Sequence, residues 1–248
     1  MTTTADRSQF GPTEPVMTDG ELEYRYDPLR PDWSEGKKTA SDLSDLLISF
    51  NEMGRKRNPK KTRLREVMRE WSEADAYIAI RAVLGKQFPH PGVVLDVESN
   101  AVYQALGNVF GDGTENSGKE FYEQHDSTVV GLHESSLDWP DDASPNDVPL
   151  NIVWGKWLYQ LAEAGGKTEQ ARLLTEYFRN LSHPEVLAEA VLNSLTLYCG
   201  SRVVVKAIAA EFDVGDEAYR YWRNVGDVGT FFLHTKRGLN DPDMEPHR

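Results

Sequence analysis

The run Ser41-Asp-Leu-Ser-Asp-Leu-Leu-Ile-Ser-Phe-Asn-Glu-Met-Gly54 and its continuation Asn58-Pro-Lys-Lys-Thr-Arg-Leu-Arg-Glu-Val-Met-Arg-Glu-Trp71 decide the fold class. In the first, Leu43, Leu46, Leu47, Phe50 and Met53 recur at the i, i+3, i+4, i+7 spacing of an amphipathic helix. Ser41 is placed to cap its start and Gly54 to end it. In the second, Asn58 followed by Pro59 reads as a cap with proline in the first turn. Leu64, Val67, Met68 and Trp71 then share one face.

The same period continues outward. Ser72 and Asp75 have the spacing of a capping box, opening a helix with Tyr77, Ile78, Ile80, Val83 and Leu84. Further helices are expected over 97–110, 118–133, 151–164, 168–181, 183–197, 201–212, 216–224 and 227–237, with Ser182-His-Pro-Glu185 as a second capping box. The segment 134–149, with three prolines and five acids, reads as an exposed loop. No stretch sustains the alternation of a strand. The pattern predicts an all-α protein of roughly eleven helices. Residues 1–40 are expected to be disordered or loosely docked, residues 41–237 to form the helical domain, and residues 238–248 to be a flexible tail. Asp126–His133 and Asp227–His234 share Asp, Leu and His at matching offsets, a faint sign of two similar helical halves.

The chain has 248 residues and a net charge of −13. No apolar run is long enough to span a membrane and no signal-peptide core is visible. A single cysteine, Cys199, excludes an intrachain disulfide and a Cys-rich zinc site. These features point to an intracellular, cytoplasmic protein without a membrane partner. Net acidity argues against a nucleic-acid partner, but the charge is unevenly spread. Residues 88–192 carry five basic and seventeen acidic side chains, whereas 55–65 hold seven basic residues and no acid. Because screening confines fields to about 8–10 Å, the local balance governs phosphate binding. The plainer reading of 55–65 is a solvated basic turn.

Catalytic signatures are lacking. The six histidines form no pair at ligand spacing, and neither a Walker loop nor Gly-x-Gly-x-x-Gly occurs. Cys199, in Leu197-Tyr-Cys-Gly200, reads as a packing residue. No catalytic or metal residue is assigned.

The segment 182–209, with Ser-His-Pro-Glu opening an apolar helix and Leu195-Thr-Leu-Tyr-Cys-Gly-Ser-Arg-Val-Val-Val-Lys-Ala-Ile-Ala209 following it, resembles the N-terminal DNA-binding domain of ATP-dependent DNA ligases of the archaeal and eukaryotic kind. Gly200 falls on that family's second small residue and Arg202 on its basic or amide position. Tyr198 stands where the family has its first glycine. Leu43–Met68 looks like the family's opening helix pair, Asp96–Leu106 like its next core helix, and 150–181 like the pair before the Ser-Pro helix. Val225-Gly-Asp-Val-Gly229 resembles its closing Gly-Asp-Leu-Gly helix. The likeness spans 41–237.

The resemblance implies binding to double-stranded or nicked DNA in replication or repair. Arg55, Lys56, Arg57, Lys60, Lys61, Arg63 and Arg65 would supply one set of phosphate contacts. Gly200, Ser201, Arg202 and Lys206 would supply a second set on the same face. The adenylating Lys-x-Asp-Gly motif is missing: Met17 precedes Asp19-Gly20 and Phe110 precedes Asp112-Gly113 where the lysine would stand. The chain is therefore expected to bind no cofactor, with ATP and Mg²⁺ belonging to a separate catalytic subunit, as in a split gene of viral or archaeal type. The competing expectation is an acidic helical interaction or structural protein with no DNA role.

Overall fold

Thr39, rather than Ser41, caps the first helix. Its hydroxyl accepts from the Asp42 amide at 3.5 Å, and the Asp42 carboxylate accepts the Thr39 amide at 3.0 Å. Ser41 instead donates its amide to Asp147. From this reciprocal cap the chain runs into α1 (Ala40–Glu52), α2 (Arg57–Glu70) and α3 (Glu73–Ala82). The computed structural model describes residues 12–18, 21–26, 31–85, 97–124, 137–192, 197, 199–215 and 217–238. Within them α4 (Ser99–Phe110), α5 (Glu115–Gln124), α7 (Lys167–Asn180), α8 (Pro184–Leu192), α9 (Ser201–Glu211), α10 (Glu217–Val225) and α11 (Val228–Lys236) follow. Between α5 and α7 lies α6, which starts at Leu150–Ile152, widens into a π-helical stretch at Val153–Trp157 and finishes at Leu158–Glu163. Eleven helices, the number expected, lie among the described residues, and the body they form is all-α.

One element was not expected. Ahead of the helical body, β1 (Pro12–Thr18) and β2 (Glu21–Tyr26) pair as an antiparallel hairpin, with β1 against Trp33–Glu35 and the π-helical stretch. Nor is the chain from residue 31 onward loose. Trp33 is fully buried, meets Tyr77 edge-on and lies over Gly155, while its carbonyl accepts from Asn151. The buried Asp75 carboxylate accepts the amides of Lys37 and Lys38, and burial pushes its pKa up. Ser72 caps α3 as expected, but Asp75 spends its own acceptor on this lead-in segment instead of closing a box. Glu185 behaves likewise, accepting from Ser44 of α1 at 2.7 Å and meeting His183 at 3.0 Å. The tail 239–248 and the Asp126–His133 half of the internal echo lie outside the described residues.

A single apolar core, which includes the inward faces predicted for the first three helices, joins α1 to α11. Two close approaches shape it. At the α4–α5 crossing a Cβ on Gly107 would fall 1.9 Å from the Thr114 carbonyl oxygen, and one on Gly118 would fall 1.8 Å from that of Tyr103. Backbone therefore touches backbone there. At the closing Gly-Asp-Val-Gly motif, Asp227 caps α11 through the Thr230 amide at 2.9 Å and holds Arg81 of α3 in a buried ion pair. A Cβ on Gly229 would lie 2.7 Å from the Tyr77 ring. Gly229→Ala is expected to cost about 1–3 kcal/mol through this overpacking. Urea denaturation would show it as a lower midpoint at unchanged slope. No helix among the described residues is long and apolar enough to cross a membrane.

Candidate nucleic-acid interface

Helices α2 and α9 pack side by side, although some 140 residues separate them in sequence. Along α2, Arg57, Lys61, Arg65 and Arg69 recur every fourth residue and so form one stripe. At its far end Glu211, the last residue of α9, accepts from Arg65 at 2.9 Å and from Arg69. Partial burial pushes the Glu211 carboxyl up, but the two guanidinium groups outweigh it and hold the pKa below the usual range. This clamp fixes α9 against α2.

At the near end the helices open into a cleft of about 600 Å³. Arg57, Asn58 and Lys61 line one wall; Gly200, Ser201, Arg202, Val203 and Lys206 line the other. Arg57, Lys61, Arg202 and Lys206 have no carboxylate at ion-pair distance among the described residues. Both helices also begin here, and neither is capped by a side chain: Lys56 and Gly200 occupy the N-cap positions without a side-chain hydrogen bond. The first-turn N–H groups of two helices, with the positive ends of their dipoles, therefore face the same space as four unpaired cations. The proline expected at the first helical position is third in the helix, and Asn58, expected to be its cap, is second, since α2 begins at Arg57. Pro59 lacks only an N–H that has no intrahelical partner anyway.

The two sets of residues singled out in the sequence thus come together, but not all of them. Lys60 is a correction: it is 1% exposed and donates to the carbonyls of Gly54 and Leu197. It contacts no solvent-borne phosphate. Arg65 is tied to Glu211, and Arg63 pairs with Glu66 at 3.0 Å on its own helix. Arg55 and Lys56 are exposed in the turn before α2. Gly200 has extended backbone (φ −80°), and a Cβ there would meet nothing within 4 Å. The fold itself does not demand glycine at this turn. Sequence reading missed Glu211, whose partners lie far away in the chain, and Asn58 as a cleft residue.

A second cleft, of about 620 Å³, lies between α4 and α7 and provides a contrast. It too holds three cations, Lys167, Arg172 and Arg179. Each is matched: Lys167 with Glu115 at 2.7 Å, Arg172 with Glu169 at 2.8 Å, Arg179 with Asp142 at 2.9 Å. Charge, not size, separates the two. Cys199, beside the first cleft, is half-buried, and burial pushes its thiol up to about 11, so it is no nucleophile at neutral pH. No group of three or more His, Cys, Asp or Glu side chains suited to a metal ion occurs among the described residues. Neither a family model nor a curated protein matches the chain.

Proposed function

We propose that this chain is the DNA-binding part of an ATP-dependent DNA ligase, gripping the backbone of double-stranded or nicked DNA in the α2–α9 cleft. A separate catalytic subunit would supply the chemistry of ATP and Mg²⁺. The observation that carries this reading is the convergence of two uncapped helix N-termini and four unpaired cations on one cleft. A phosphodiester offers two charged oxygens, and the first-turn amides of α2 and α9 are oriented donors for them. Arg57, Lys61, Arg202 and Lys206 would add salt-sensitive attraction. Contacts of this kind position a protein on a duplex without reading bases, which suits a protein that must act at any sequence. The resemblance at 182–209 and 225–229 supplies the ligase assignment.

Fluorescence anisotropy with a labelled nicked duplex tests the reading. Four phosphate contacts predict that log K falls against log salt with a slope of about −3.6. Gly200→Asp separates binding from folding. Aspartate is a favoured N-cap, so thermal stability should hold or rise by a few tenths of a kcal/mol. Its carboxylate would occupy the anion's place, and affinity should fall at least tenfold, about 1.4 kcal/mol. A parent chain that binds no duplex at low salt would instead favour the acidic interaction-protein reading, for which the net charge of −13 already speaks.

A further inference from the structure

The basic run 55–65 contains one lysine that does something other than face solvent. Lys60 lies in the first turn of α2, and its ammonium donates to two backbone carbonyls. Gly54 belongs to the turn that leads into α2, three residues before Arg57. Leu197 belongs to the segment that leads into α9, four residues before Ser201. The two acceptors are therefore the approaches to the two helix N-termini that open on the cleft. The ammonium also lies 5.8 Å from the centre of the Phe50 ring, which closes its third side.

From this geometry we infer that Lys60 is a positioning residue: one buried ammonium staples both lead-in segments and so sets the spacing of the α2 and α9 N-termini across the cleft. The inference rests on the phosphate-binding reading for its functional consequence, but its structural part stands alone. A neutral side chain of equal length would leave two carbonyls without the donor they share, in a place that water reaches poorly. Burial lowers the Lys60 pKa, and the titratable group acting on it is Cys199, whose thiol is neutral at pH 7 and provides no counter-charge. The positive charge thus has no carboxylate partner among the described residues, and it sits behind two helix ends of the same sign. An anion in the cleft would offset all three.

The test compares the full-length parent chain with Lys60→Met by amide hydrogen exchange and by duplex binding. Exchange should rise in 53–57 and in 197–203 together, while the α4–α5 pair remains as protected as in the parent. Duplex affinity should drop about tenfold at an unchanged salt slope, because no phosphate-contacting cation has been removed. Lys61→Gln provides the contrast, since loss of a contacting cation should flatten the slope by about 0.9. A flatter slope in Lys60→Met would make Lys60 a contact residue and overturn the inference. Unchanged exchange in both segments would overturn it as well. Should Lys60→Met fail to fold, Lys60→Gln keeps an N–H donor group but ends one bond short of the ammonium, so it should leave at least one of the two segments less protected than in the parent. Full protection of both in Lys60→Gln would refute the staple. If the parent binds no duplex, the proposed function falls, while the exchange comparison still decides the role of Lys60.

Discussion

Asp227→Ala is expected to lower stability by about 3–5 kcal/mol, the usual cost of stranding one member of a buried ion pair. Arg81 is 6% exposed and loses its carboxylate partner in this variant. Its guanidinium cannot shed the charge, because arginine stays protonated at any accessible pH. Tyr77 stays beside it, with its side chain hydrogen-bonded to the guanidinium and its ring 5.6 Å away, but the carboxylate is lost. The cap of α11 is lost in the same step, since the Thr230 amide and hydroxyl both donate to Asp227. Set against a typical total of about 5–15 kcal/mol, this is a large fraction. Asp227→Asn keeps one oxygen for the Thr230 amide but replaces the oxygen facing Arg81 with an NH2 donor, so it retains the cap, loses the pair, and should fall between the parent and Asp227→Ala. Guanidinium denaturation followed by helical circular dichroism measures both. A loss below about 1 kcal/mol in Asp227→Ala would mean that the pair contributes no more than an exposed salt bridge.

Neutralising the cleft should have the largest effect on binding. At 0.1 M salt each released counterion favours binding by about eightfold, so removing three contacts predicts a loss on the order of 500-fold. Lys61→Gln, Arg202→Gln and Lys206→Gln combined make this variant. Its control is built into the fold. Lys167→Gln, Arg172→Gln and Arg179→Gln change the net charge equally, but on the cleft whose cations are already paired. Duplex titrations across salt concentrations should show near-parental affinity and slope for the control, and both reduced for the cleft variant. Equal losses in the two triple variants would trace binding to overall charge and not to the α2–α9 cleft.

How far the sequence disclosed this arrangement differs from element to element. The inward faces of α1, α2, α3 and α4 follow from periodicity alone, because each buries a stripe against one shared core. Of the expected caps Ser72 holds, whereas Thr39 stands in for Ser41 and Lys56, without a side-chain bond, for Asn58. Asp75 and Glu185 stand at box spacing, yet their carboxylates accept from Lys37, Lys38 and Ser44, and such pairings exist only once the chain has folded. The hairpin had a signal that went unused: Asp19-Gly20 between Pro12–Thr18 and Glu21–Tyr26 is a favoured two-residue connection between strands. Lys60 also had one. It precedes Leu64 by four residues and Val67 by seven, in phase with the buried face of α2, but Arg57, seven before Leu64, and Lys61, seven before Met68, share that phase. The surrounding basic residues concealed that phase. The meeting of α2 with α9 had no local signal, since the four-residue stripe along α2 does not say which helix it faces.

The contrast between the two clefts bears on how a polyanion would arrive. Four cations without a carboxylate partner among the described residues line the α2–α9 cleft, while those of the α4–α7 cleft are paired, so a phosphate chain would meet the stronger attraction at α2–α9. Encounters are therefore sorted by orientation before any contact forms. In the proposed DNA-binding role, the surplus acid elsewhere on the molecule would serve the rate of productive encounter, by keeping a long strand from lodging on the wrong face.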